Sequence, residues 1–187
     1  MMVRAAVVIV ALVLVTGSPG FSARDQSLSA PALFDDLTWR PLGPFHGGRV
    51  TAAACVPSNA NLFYIGTANG GVWRTTDAGQ SWQPIFEDQA VGSIGALAVA
   101  PSDARVIYVG TGAPPTARDA VAGDGLYRSQ DGGRTWTPVG LAASHPISRV
   151  VVHPREAGTI YVAALGPAHG DGEERGVFRS TYGGRSF

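Results

Sequence analysis

The 187-residue sequence contains no lysine, so its 14 cationic side chains are all arginines, and 14 acids balance them to a formal net charge of zero. Charged residues make up only 15% of the chain. A neutral chain without basic clusters lacks the electrostatic footprint of a nucleic-acid-binding protein, and no such partner is expected. A single cysteine, Cys55, excludes an intrachain disulfide. It sits in the apolar run 50–56 and reads as a small buried hydrophobe. Helical periodicity is missing as well: after residue 24 no stretch of useful length repeats its apolar residues every 3.6 positions. The unbroken apolar run Ala5–Val15 is too short for a membrane helix, which needs roughly 20 residues. Preceded by Arg4 and broken by Thr16, Gly17, Ser18, Pro19 and Gly20, it has the pattern of an export signal. The expectation is a signal peptide over 1–23 and a leader over 24–38. Export would be to the periplasm, the outer envelope or the medium, with no stable membrane span after cleavage.

What the chain does have is glycine, 25 of them, and internal repetition. Such repetition is the signature of architectures built from stacked units. Pro57, Pro101 and Pro154 recur in phase with Tyr64, Tyr108 and Tyr161, and then with Arg74, Arg128 and Arg179. Each unit resolves into short strands. A run of small and β-branched residues ends at the proline, whose missing amide stops a ladder. An aromatic-aliphatic run follows (62–67, 106–111, 159–163), then a third strand (71–75, 125–129, 176–180), then a fourth starting near Trp82 or Trp136. Four antiparallel strands per unit predict an all-β chain, a β-propeller with about two and a half blades present. The blades fall at about 49–90, 91–146 and 147–187, the last incomplete, within a partial propeller over 39–187. The remaining blades of a closed ring are expected outside this sequence.

The turn between third and fourth strands carries a motif. Thr75, Asp77, Gly79, Ser81 and Trp82 match Ser129, Asp131, Gly133, Thr135 and Trp136. A short carboxylate can accept the amides of its own turn, and the glycine can adopt a left-handed conformation freely. The tryptophan offers apolar surface for packing within the blade. The third copy keeps Ser180, Gly184 and Ser186 but has Tyr182 in place of the aspartate and Phe187 in place of the tryptophan. Its turn must be held by other bonds, or be weaker.

These turns resemble the Asp box of bacterial-neuraminidase repeat proteins. Together with Trp39-Arg40-Pro41-Leu42-Gly43-Pro44 and Gly47-Gly48-Arg49-Val50, the repeats over 39–187 resemble the sortilin/Vps10 N-terminal propeller proteins, many of them labelled bacterial glycosyl hydrolases. Relatives of that kind include sialidases, xyloglucan-cleaving enzymes, photosystem assembly factors and peptide receptors, so the resemblance implies a fold more than an activity. In the xyloglucan-cleaving relatives a carboxylate follows the second strand of the first blade. Here that segment is Thr67-Ala68-Asn69-Gly70-Gly71, with alanine in the acid's place. The Arg-Ile-Pro segment of sialidases does not occur either; Arg49 is followed by Val50-Thr51.

The box residues therefore read as turn caps, and ligand-binding groups are expected on the opposite rim, in the loops that vary between units. The candidates are His46, Arg49 and Asn69 in the first unit, Arg118, Asp119 and Asp124 in the second, and His169 and Asp171 in the third. Their spacing matches no metal motif, and neither metal nor cofactor is expected. Two readings stand: an exported scaffold binding a protein, a peptide or a carbohydrate through rim loops, and a hydrolase of O-glycosyl bonds whose paired carboxylates lie largely beyond residue 187.

Overall fold

The computed structural model of the protein describes residues 49–113, 121–144, 146–167 and 174–187. The expected signal peptide and leader lie outside them. The described chain is all-β. Strands β1 (Val50–Val56), β2 (Asn59–Thr67), β3 (Val72–Thr75) and β4 (Gln83–Pro84) form a first antiparallel sheet in sequence order. Strands β5 (Ile94–Ala100), β6 (Asp103–Thr111), β7 (Leu126–Ser129) and β8 (Thr137–Gly140) repeat it. Strands β9 (Ile147–Val152), β10 (Ile160–Leu165) and β11 (Arg175–Ser180) form a third sheet of three. Among the described residues no helix is long and apolar enough to cross a membrane.

The repeated landmarks occupy matching places in the ladders. Tyr64, Tyr108 and Tyr161 lie opposite Arg74, Arg128 and Arg179 as cross-strand pairs. The guanidinium of Arg128 sits 5.7 Å from the Tyr108 ring centre and that of Arg179 5.9 Å from the Tyr161 ring centre, within cation–π range. The hairpins between first and second strands are tighter than the sequence predicts. Val56 pairs with Asn59 and Ala100 with Asp103, leaving only Pro-Ser in each loop, so β2 and β6 begin three residues before 62 and 106. Pro84 and Pro138 lie in the outermost strands β4 and β8, where no further ladder needs their missing amides.

Core packing is between sheets. Tyr64, Val72 and Phe86 of the first unit cluster with Leu97, Ile107 and Val109 of the second. On the other face of the second sheet, Ala96, Ala100 and Tyr108 cluster with Val150, Val152 and Ile160 of the third. Small residues set the approach: a Cβ on Gly66 would lie 2.4 Å from Cγ2 of Ile94, and one on Gly110 would lie 2.4 Å from Cγ2 of Ile147.

Two sequence expectations are corrected by this arrangement. The tryptophan of the box packs across to the preceding sheet instead of within its own. Trp136 Nε1 donates to the Ile85 carbonyl at 2.6 Å, and its ring meets Phe86 edge-on with centroids 5.1 Å apart. Phe187 takes the equivalent place beside Gly140 of the second sheet without an N–H to donate. Cys55 is exposed, not buried. Its equivalent in the repeat, Val99, packs against the first sheet's cluster. Cys55 occupies the opposite face of β1, where the apolar lining of Ala53, Phe63, Ile65 and Trp82 surrounds an open cleft.

Candidate functional site

The strand connections separate onto two rims. On one, each box turn lies beside the hairpin joining the first two strands of its sheet: Ala78 N donates to Asn61 O, Gly132 N to Arg105 O and Gly183 N to Gly158 O. Within the turn the hydroxyl is the constant element. Thr75 Oγ1 accepts the Gly79 amide at 2.9 Å, Ser129 Oγ the Gly133 amide at 2.8 Å, and Ser180 Oγ the Gly184 amide at 2.9 Å. All three glycines have positive φ, between 86° and 92°, as expected of them. The carboxylates add a second layer. Asp77 accepts the Ser81 amide and hydroxyl, and Asp131 accepts those of Thr135. No bond of this kind is formed at Tyr182, whose side chain is 70% exposed, so the third turn rests on Ser180 alone among these groups.

The Ser81 hydroxyl, then the Ser81 amide and the Thr75 hydroxyl, hold the Asp77 carboxyl down from 3.8 to about 2. The Thr135 hydroxyl and amide, with Ser129, do the same at Asp131. Both groups have a lower pKa folded than unfolded. Ionisation therefore favours the turns above the ordinary 3.8, and that contribution is lost as pH falls through about 2. Both aspartates are half-buried at the surface, so the effect is local and partly screened by solvent. Amide resonances of Ser81 and Thr135 are expected to titrate with midpoints near 2, while that of Ser186 stays unresponsive over the same range. Midpoints at 3.8 would contradict the hydrogen-bond assignment. These groups are engaged in holding turns, which is structural chemistry.

The opposite rim carries the connections β2–β3, β6–β7 and β10–β11, laced to the crossovers between sheets by Gly71 N donating to Gly92 O, Gly112 N to Ser93 O and Leu165 N to Pro146 O. In the first unit, Thr67 Oγ1 accepts the Gly70 amide at 2.8 Å, and Trp73 Nε1 donates to Gly70 O at 2.7 Å. This braced loop holds Asn69 exposed at its tip. Ala68 is buried at 3% exposure and its amide donates to Arg49 O, so the place where the resemblance implies an acid is a packed methyl group. Arg49 is exposed at the start of β1.

Asp124 is not the solvated loop acid that its position suggests. The Tyr127 hydroxyl donates to Asp124 Oδ2 at 2.6 Å, and the Thr111 hydroxyl lies 3.2 Å from Asp124 Oδ1. Thr111 Oγ1 accepts the Asp124 amide at 2.9 Å and donates to Gly125 O at 2.7 Å. Burial and the Asp124 carboxylate push the Tyr127 phenol up to about 12, keeping it a donor. Asp124→Ala is expected to cost about 1–2 kcal/mol in urea unfolding, the scale of a buried hydroxyl left without its acceptor. A cost indistinguishable from that of an ordinary surface substitution would show the clamp to be weak. Sequence reasoning missed Thr67 and Thr111 as loop braces. The signal for them was present: Gly-Thr ends the second strand at 66–67 and again at 110–111.

Of the remaining candidates, His46, Arg118, Asp119, His169 and Asp171 lie outside the described residues. Among the described residues no group of three or more His, Cys, Asp or Glu could hold a metal ion. Two hydroxyls near this rim, Ser93 and Ser144, are buried without a hydrogen-bond partner.

No family model and no curated protein matches the chain. Solved structures do. An ancestral GH74 enzyme superposes with a TM-score of 0.63 at 28% identity, over 80% of this chain and 19% of that one. The GH74 enzyme of Niastella koreensis superposes at 0.54 with 23% identity, over 73% of this chain and 22% of that one. YCF48 bound to D1 peptide does so at 0.51 with 12% identity, over 74% and 40%. For the last two the likeness is one of fold. The chain spans about a fifth of the length of the GH74 enzymes and two fifths of that of YCF48. With these neighbours, the antiparallel four-stranded sheets are blades of a β-propeller.

Proposed function

We propose that these blades belong to an exported propeller that binds a neutral carbohydrate chain on the rim carrying the β2–β3, β6–β7 and β10–β11 connections, and that they do so as a binding scaffold. The observation that carries the reading is the 28% identity to a GH74 enzyme, maintained over 80% of this chain. Local chemistry supports it. Asn69 presents both a donor and two acceptor lone pairs, the set that sugar hydroxyls require, on a loop whose backbone is already braced. Preorganisation lowers the entropy lost on binding. Ala68 supports a scaffold over an enzyme, since hydrolysis of a glycosidic bond normally needs two carboxylates roughly 5–9.5 Å apart.

A second reading, O-glycosyl hydrolysis with the paired acids supplied by other blades, is favoured by the same GH74 likeness. Calorimetric titration of the whole protein with neutral β-glucan oligosaccharides separates the possibilities. Binding without release of reducing ends, weakened about tenfold by Asn69→Ala, is the expected result. Release of reducing ends would establish the hydrolase. Binding of peptides in place of sugars, as YCF48 is bound to D1 peptide, would overturn the carbohydrate reading.

A further inference from the structure

Arginines that stand far apart in the sequence come together on the rim of the box turns. Two grooves run there, one at each junction between successive sheets, and both walls of each belong to described residues. The first, of about 480 Å³, is lined by Arg74 of β3 and by Arg134 of the second box turn. The second, of about 150 Å³, is lined by Arg128 of β7 and by Arg185 of the third box turn. Arg128 is the repeat equivalent of Arg74, and Arg185 that of Arg134, so the same pair is built twice. Gln130 lines both grooves and joins them into one track.

The cations of this track lack counter-charges. Among the described residues none of these four arginines forms an ion pair. Arg74 donates to the Gln83 side chain, a neutral acceptor. The Nε atoms of Arg74 and Arg128 are buried without a hydrogen-bond partner. Each of these two guanidinium groups is therefore shut off from water on one side, and a charge so placed gains from an anion on its open side. Two acids come near the first groove, and neither is free to serve. Asp103 is engaged by Arg105, a third arginine of the lining, through bonds of 3.0 and 2.9 Å. Asp131 accepts two amides and two hydroxyls of its own turn. No acid lines the second groove.

We propose that this track binds an acidic polysaccharide, a chain of uronic acid residues whose carboxylates seat between the paired arginines. A guanidinium fork matches a planar carboxylate in shape as well as in charge. In the first groove Leu62 and Ala104 offer an apolar patch for the C–H face of a sugar ring, and Thr76 and Gln130 offer partners for its hydroxyls. The second groove is smaller and more polar, with Thr137 and Gln130 beside its arginines, and suits a carboxylate alone. A polymer with one carboxylate on each sugar fits a rim that repeats one arginine pair at each junction, and engaging both pairs raises its affinity by linkage. The track lies on the rim opposite Asn69 and does not rest on the neutral-carbohydrate reading.

Calorimetric titration of the whole protein with oligogalacturonate at low salt tests the track. Binding is expected, and it should weaken as salt is raised, because the arginines at the surface are screened. Arg134→Gln combined with Arg185→Gln is expected to weaken it at least tenfold; both residues are exposed, and among the described residues neither side chain holds a turn. Arg134→Lys keeps the charge and loses the fork, and a few-fold loss there keeps the test open if the double variant fails to fold. Asn69→Ala is expected to leave oligogalacturonate binding unchanged, which separates this site from the one on the opposite rim. The absence of binding at low salt would overturn the proposal, and so would an affinity indifferent to the arginine substitutions. Neutral oligosaccharides, polyglutamate or single-stranded DNA bound as tightly as oligogalacturonate would overturn the assignment of a uronic acid chain. Galacturonic acid monomer bound as tightly as the oligomer would show that the two grooves do not act as one track.

Discussion

Replacing Gly95 by alanine is expected to lower the unfolding free energy of the chain by about 3 kcal/mol, measured by urea denaturation, the upper part of the range for forced overpacking. Gly95 lies in β5 where the second sheet meets the third. A Cβ there would fall 2.3 Å from the carbonyl oxygens of both Gly112 and Ile147. Neither atom belongs to a flexible side chain, so relief requires the backbone of β9 or of the loop after β6 to move. The first sheet solves the same position differently. Thr51, the counterpart of Gly95, brings its hydroxyl to 2.5 Å from Ile94 O and 3.1 Å from Gly66 O, filling the junction with a hydrogen bond. Thr51→Gly should therefore cost only about 1 kcal/mol, the scale of one hydrogen bond. Equal losses for the two substitutions would show that the junctions are not built as the carbonyl distances imply.

Trp136→Ala is the second large effect, with an expected cost of about 3 kcal/mol, the low end of the range for removing a packed aromatic ring because Trp136 is half-buried. The ring rests on Phe86, and Phe86 in turn meets Tyr127 edge-on with centroids 5.3 Å apart, so the deletion opens an aromatic cluster shared by two sheets. Trp136→Phe keeps a ring but loses the N–H that reaches Ile85 O, and should cost about 1 kcal/mol. Phe187 already occupies this place in the third unit. If the phenylalanine variant were as unstable as the alanine variant, the hydrogen bond and not the ring would be the source of the effect.

Those two positions also show where sequence reasoning stops. The strands, their order and the box turns were legible because they depend on neighbours in the chain: a proline that ends a ladder, a carboxylate within reach of amides three and four residues on. Alternation marked two faces for each strand without telling whether anything covers them. The partner of Trp136 is 51 residues away and that of Tyr108 is 49 away, so inter-sheet packing left no local trace. Cys55 was misread for the same reason: an apolar run looks identical whether its outer face is covered or open. At the candidate site, Asn69 was legible as a loop-tip residue beside two glycines, whereas the role of Asp124 depended on a tyrosine hydroxyl that no spacing rule identifies.

The neck of the β6–β7 connection has a practical consequence. Thr111, Asp124 and Gly125 tie its two ends together, and a backbone bond from Ala113 N to Val121 O at 3.0 Å closes it once more. The geometry of this stem is set by the blade, so substitutions or insertions made beyond it need not be transmitted to the sheets. That makes the stem a natural graft point: a foreign peptide spliced there would be displayed on the rim by a rigid support, and the blade could be engineered as a carrier without redesign of its core.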